Sequence, residues 1–390
     1  MLRLEFLKSA LAVIVCLAAV AALYVLPIPV SSDLDFFFFY AQSAALNHGL
    51  DLYDEIAQTV FVTQTLKLGS QGLQLNPPAY PPWYYLMTVF LGWFDLETSA
   101  RLWFICNVAM LSIAALLLNP YPGFWGRLAV VSACLIFPPT VGLLAVGQLD
   151  MPLLLGCALF VAGAGCGKPW WAAVGLLFMS FKPHLGFIPL CVGIFWLAAR
   201  GGWANRQALR YTAIVFAAAA LISLLVEPTW PTAYLKSLGR LSSYKLNVLC
   251  DTCSSLTIAA GRLLNWEAAE LWRFGMLGVI GALAAAMWFV WKSRQQPDMV
   301  ASAMAWAVVL TLLFTPYIRN YDYVLLLLPL LSLLGKASGW ETRLGLLLSY
   351  LWSAVVCVFA ERAEHGALLW VSAAIMALVL LNEYRAKDSS

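Results

Sequence analysis

Charge is scarce in this chain: Asp, Glu, Lys and Arg together make up 11% of its 390 residues, against 62% apolar residues. Soluble proteins carry roughly 25% charged residues, so an ordinary soluble domain is excluded. Histidine is scarcer still, with three residues, His48, His184 and His365, none at metal-ligand spacing. There is no P-loop, no metalloprotease histidine pair and no Rossmann glycine pattern opening a helix. Direct ATP use and a soluble nucleotide-sugar fold are therefore not indicated, and neither a metal nor a cofactor is expected. The net charge of +3 leaves no nucleic-acid footprint, because the basic residues sit in short loops, as orientation signals do. The lack of an internal repeat counts against inverted-repeat transporters.

What the chain has is apolar length. Blocks of 13 to 22 apolar residues recur from end to end, the pattern of an all-α polytopic membrane protein. The N-terminus looks like a signal-peptide n-region, but the run from Phe6 to Pro27 is too long for an h-region and lacks a small-residue cleavage site. It reads as a retained first helix. Nine cysteines, an odd number, lie mostly inside apolar runs, where Cys is a small buried hydrophobe. Cys250 and Cys253 share a polar loop; they form a local disulfide if that loop faces an oxidising compartment, or remain two thiols.

Arg200, Arg206 and Arg210 mark a cytoplasmic loop. Counting both ways from there places crossings at 102–118, 127–146, 149–165, 169–181, 184–199, 211–226, 271–292, 299–316, 323–335, 344–360 and 366–382. With the first helix this makes about twelve, both ends inside, provided that 83–95 does not cross. Residues 1–390 then form one transmembrane domain, with a first outer loop at 28–100 and a second, polar one at 228–270. Residues 46–75 are too polar to cross and suit amphipathic helices on the membrane surface. In this topology Asp35, Arg101, Gln148, Asp150, Lys182, His184, Arg319 and Asp322 all fall on the outer side, as the residues of a single site would.

Each cluster has two readings. Asp33 and Asp35, beside four phenylalanines at the exit of the first helix, suit a carboxylate base at the membrane surface, or a solvated helix cap. In Phe181-Lys-Pro-His184 the proline breaks the helix beside an intramembrane cation, suiting a phosphate, unless Lys182 snorkels to the interface. Gly147-Gln148-Leu149-Asp150 is a polar site or a hairpin turn. Arg319, within Thr315–Tyr323, can pair with Asp322 or hold a phosphate, and Arg101 is a third candidate cation. The stretch Asn76–Tyr85, with four prolines, is read as a structural interface belt.

In order along the chain, these motifs resemble glycosyltransferase family 87 of the GT-C superfamily. The resemblance rests on Asp35-Phe36, Tyr40-Ala41, Gly49 through Tyr53-Asp54, Tyr80-Pro81-Pro82, Arg101, Trp103 and Asn107, Gly147-Gln148, Lys182-Pro183, and Thr315-Pro316 through Asp322. The chain departs from the family pattern at Cys253–Leu256, and at Tyr321 and Asp322, where some members carry histidines. The resemblance implies a GT-C-like fold and an inverting glycosyltransferase on the outer face of a bacterial inner membrane. The donor it implies is a polyprenyl-phosphate sugar, with mannose favoured over arabinofuranose, and the acceptor a lipid or glycan hydroxyl. Alignment favours Asp35 as the base, with Asp33 the runner-up. Lys182, Arg101, Arg319 and His184 are then expected at the donor phosphate, and Tyr40, Tyr80, Gln148, Asp150, Asn320 and Asp322 about the substrate. A transporter or flippase of lipid-linked sugars is the alternative; it needs a polar path to the cytoplasm, whereas these polar residues gather on one face.

Overall fold

A computed structural model describes residues 28, 30–32, 34–69, 73–121, 123–246, 253–335, 339–359 and 368–388. The expected first helix, Asp33 and Cys250 lie outside these residues. Among the described residues the chain is helical throughout, without a strand and with one isolated antiparallel bridge between Cys253 and Arg319. The helices run in order as α1 (Asp35–Asn47), α2 (Glu55–Val60), α3 (Pro82–Thr88), α4 (Leu96–Leu118), α5 (Phe124–Leu135) and α6 (Pro138–Val146). Then come α7 (Asp150–Gly165), α8 (Pro169–Met179), α9 (Pro183–Arg200), α10 (Trp203–Val226), α11 (Trp230–Leu246) and α12 (Leu256–Leu263). The last are α13 (Ala268–Ser293), α14 (Val300–Phe314), α15 (Leu327–Leu334), α16 (Trp340–Phe359) and α17 (Trp370–Asp388).

Proline punctuates this series. Helices α3, α6, α8 and α9 each begin on a proline, where its fixed φ suits the first turn and its missing N–H is not needed. Pro138 and Pro139 break the expected single crossing at 127–146, because proline cannot donate within a continuous helix; α5 and α6 meet there at 62°. Among the described residues four helices, α4, α9, α10 and α13, are long and apolar enough to cross a membrane, and the bent pair brings the number to five. Helices α7, α8, α14 and the 3-10 turn leading into α15 are apolar but shorter. Helix length among the described residues thus accounts for up to five of the expected twelve crossings, the first of which lies outside those residues.

Close backbone contact sets the packing of α7 on α8. A Cβ on Gly156 would stand 2.7 Å from the Gly175 carbonyl oxygen, and one on Gly175 would stand 2.5 Å from that of Gly156. Small residues of this kind let apolar helices approach where lipid removes the usual hydrophobic drive. The stretch 83–95 forms α3 and a 3-10 turn (Val89–Trp93), each too short to cross, packed against α1 and α4. The polar stretch 228–270, expected as a loop, carries α11 and α12.

Among the described residues three apolar clusters result, the smallest of them Cys253, Ile258 and Leu271; the other two flank the polar segments. Of these two, the larger is built from α7, α9 and α14 with their neighbours, and the smaller packs α1 against Tyr84, Tyr85 and Leu91. Leu149 and Phe181 belong to the smaller cluster, Met151 and Leu185 to the larger. The segments carrying Gln148, Asp150 and Lys182 therefore run along the seam between the two.

Candidate active site

Helix α1 starts at Asp35 after an extended Leu34, with no side-chain cap. The Asp35 carboxylate does not serve the helix end. Its Oδ2 accepts from Gln148 Nε2 at 3.0 Å and from the Tyr321 hydroxyl at 2.9 Å. Gln148 Nε2 also donates to Tyr321 Oη at 3.1 Å, closing a triangle. The Leu149 N–H donates to Gln148 Oε1 at 2.9 Å, which fixes which end of the amide faces Asp35. Asp35 Oδ1 has no hydrogen-bond partner among the described residues. One oxygen is held and the other is left open, the arrangement a proton acceptor needs.

Gly147 makes this approach possible. It ends α6 in the left-handed region at φ 71°, and its carbonyl accepts from Trp103 Nε1 at 2.8 Å. A Cβ there would stand 2.6 Å from the Cβ of Phe36, so a larger residue would push α1 away from Gln148.

A second polar cluster adjoins the first. Pro183 opens α9 and leaves Lys182 outside the helix, with φ −120° and ψ 82°. Lys182 Nζ donates to Asp150 Oδ1 at 2.8 Å and to Asp322 Oδ1 at 2.6 Å, all three side chains being buried. Asp322 Oδ2 accepts the Arg319 N–H at 2.7 Å, pinning the turn that presents Tyr321. Lys182 Nζ also lies 5.3 Å from the centre of the Tyr321 ring. The segment after Cys253 braces the same turn: Ser254 N–H donates to the Ile318 carbonyl at 2.8 Å, and the Tyr323 hydroxyl to the Ser254 carbonyl at 2.6 Å. Cys253 is in a disulfide whose partner lies outside the described residues.

Both clusters border a cavity of about 420 Å³, within the range of small-molecule sites. Its polar lining includes Asp35, Gln148, Lys182, Arg319, Tyr321 and Asp322. Phe38 and Phe39 line it from α1, while Phe36 and Phe37 are buried in the core. Tyr234, Leu238 and Leu241, spaced along one face of α11, supply another wall. That helix is tied down by Arg240, which donates to the Tyr53 carbonyl at 3.0 Å and pairs with Glu55 at 2.7 Å, and by Ser237, which donates to the Pro78 carbonyl at 2.7 Å. Burial, and then the carboxylates of Asp35 and Asp150, push the Tyr80 phenol well above its usual range, so it stays a protonated donor.

The structure sorts the expected residues. Lys182, His184 and Arg319 border the cavity, whereas Arg101 does not; it pairs with Glu97, one turn back on α4, at 2.7 Å. Lys182 is taken up by two carboxylates, so its charge is already neutralised. Arg319 makes no ion pair among the described residues, and its Nε has no hydrogen-bond partner. Tyr80, Gln148 and Asp322 line the cavity; Asp150 lies behind it in the Lys182 cluster. Tyr40 instead donates to the Phe94 carbonyl at 3.1 Å, and Asn320 is not among the lining residues. In Gly49 through Asp54, Gly49 ends α1 and Asp54 caps α2 by accepting from the Ala57 N–H. Gln42 and the α11 face, to which the sequence assigns no role, border the cavity, as does Tyr85, expected only in a structural interface belt. A period of i, i+4, i+7 in Tyr234, Leu238 and Leu241 was the available signal for α11.

Comparison with curated proteins and with solved structures returns no match. A sequence model of glycosyltransferase family 87 matches residues 79–316, well over half of the chain, including Gln148 and Lys182. Asp35 and Tyr321 lie outside the matched segment and are brought to it by the fold. The chain therefore belongs to glycosyltransferase family 87, as a multi-pass membrane protein.

Proposed function

We propose that this glycosyltransferase moves a sugar, with mannose favoured, from a polyprenyl-phosphate donor to a lipid or glycan hydroxyl, with inversion. The observation that carries this reading is the Asp35 carboxylate, anchored through Oδ2 by Gln148 and Tyr321 on a cavity that also holds the Arg319 guanidinium. Asp35 Oδ1 takes the proton of the acceptor hydroxyl. The acceptor oxygen attacks the anomeric carbon, the bond from that carbon to the phosphate oxygen breaks, and the lipid phosphate leaves with the electron pair. Arg319 holds the phosphate of the bound donor, since a guanidinium suits phosphate geometry, and meets the further charge that develops on it as it leaves. Lys182 contributes by fixing Asp322 and the turn under Tyr321. The reaction faces outward in this reading; the disulfide at Cys253, on the segment bridged to Arg319, suits an oxidising compartment.

The test is transfer from radiolabelled polyprenyl-phosphate mannose, then the arabinofuranose donor, by membranes containing the protein, with Asp35→Asn as control. Transfer that survives Asp35→Asn at equal protein level removes the mechanism. Arg319→Gln should raise the donor KM about 10- to 100-fold, the loss of one charged hydrogen bond. An unchanged donor KM, by titration of the lipid donor, would take the phosphate away from Arg319. Tyr321→Phe should lower kcat about tenfold with both KM values unchanged, because one of the two donors to Asp35 Oδ2 is lost. A rise in KM at constant kcat would make Tyr321 a binding group instead.

A further inference from the structure

Gln42 is a polar residue of the cavity that the proposed transfer does not use. It is 4% exposed, borders the cavity, and its Oε1 has no hydrogen-bond partner among the described residues. Tyr85, fully buried, borders the same cavity; its hydroxyl lies beside the Tyr80 backbone N–H but has no acceptor for its own proton among the described residues. Buried polar atoms almost always find a partner, so the unmet groups of Gln42 and Tyr85, beside the Arg319 Nε already described, call for a polar group supplied from outside. Gln42 follows Asp35 by seven residues and so returns to the same face of α1, about 10 Å along the axis. Phe38 and Phe39 lie between them and border the cavity, and Phe39 meets the Tyr80 ring edge-on at 5.7 Å. Neither Gln42 nor Tyr85 is charged, which suits a neutral hydroxyl rather than a phosphate or carboxylate. An amide that both donates and accepts, a phenol and intervening aromatic rings match the hydroxyls and C–H faces of a sugar.

We propose that Gln42 and Tyr85 form a sugar-hydroxyl subsite two helical turns from Asp35, which selects among sugars by hydroxyls that do not react. This rests on the glycosyl-transfer reading above. Two sources supply the same chemistry, the far edge of the transferred sugar and a further unit of a glycan acceptor.

The experiment uses the full chain in detergent with short-chain isoprenyl phosphates of mannose, glucose and arabinofuranose, and with alkyl mono- and dimannosides as acceptors. Gln42→Leu and Tyr85→Phe should keep or raise thermal stability, because each removes an orphaned polar group. Each should also raise one KM about tenfold and relax sugar preference by a similar factor. A change confined to donor KM and donor choice assigns the subsite to the transferred sugar; one confined to acceptor KM assigns it to the acceptor. Wild-type KM values and selectivity in both variants would overturn the subsite, as would a loss of stability with unaltered selectivity. Absence of transfer by the wild type tells against the proposed function, and ligand-induced thermal shifts then decide the subsite separately. A shift seen with wild type and lost in Gln42→Leu supports it; equal shifts, or none with any of these ligands, overturn it.

Discussion

Asp35→Asn should reduce sugar transfer by about two to four orders of magnitude, the usual contribution of a positioned general base. The substitution is close to isosteric, and an amide oxygen can still accept from Gln148 and Tyr321, which hold Oδ2 at 3.0 and 2.9 Å. Geometry and donor binding should therefore persist, and the loss should fall on kcat. What the amide lacks is a second oxygen able to take a proton, the role proposed for Oδ1. Asp35 does not cap α1 with its side chain, so the helix end loses only the interaction of a first-turn charge with the helix dipole, about 0.3–1 kcal/mol. The measurement is single-turnover transfer at saturating donor, beside thermal stability of the purified variant. A large fall in kcat with stability intact is the expected pair of results. Near-wild-type transfer would exclude Asp35 as base and return attention to Asp33, two residues earlier.

Much of this site was legible in the sequence as polar residues in apolar surroundings that orientation signals do not explain. Asp35, Gln148, Lys182, Arg319 and Asp322 were all visible in that way. Their partnerships were not. Asp35 meets Gln148 from 113 residues away and Tyr321 from 286, separations on which no local periodicity bears. Lys182 looked like a free cation for a phosphate because the carboxylate of Asp322 lies 140 residues away in sequence. Gln42 passed as a neutral residue in an otherwise apolar helix; its importance comes from burial without a partner, which only the packed structure reveals. Two features could have been read. Pro138-Pro139 announces the bend in 127–146, and the spacing of Tyr234, Leu238 and Leu241 announces a helix where low average hydropathy suggested a loop.

Lys182→Met is expected to be the most destabilising single substitution near the site. Methionine fills much of the lysine's volume but leaves Asp150 and Asp322, both buried, facing each other without a cation. Removing one partner of a buried ionic cluster typically costs about 3–5 kcal/mol, because the remaining charge cannot be resolvated. The damage should spread to catalysis, since Asp322 also holds the Arg319 N–H at 2.7 Å and so shapes the turn that carries Tyr321. Thermal unfolding in detergent should show a lowered midpoint for Lys182→Met. The triple variant Asp150→Asn, Lys182→Met, Asp322→Asn should recover part of the loss. No unpaired charge remains in it, and the amide oxygen introduced by Asp322→Asn can still accept from the turn. Donor titration separates this account from the alternative in which Lys182 binds the phosphate directly. A Lys182→Met protein of wild-type stability with a raised donor KM would show that the lysine leaves its carboxylates for the substrate. A destabilised protein rescued by the triple substitution, with Arg319→Gln carrying the donor KM effect, would place Lys182 in the frame of the site and Arg319 at the phosphate.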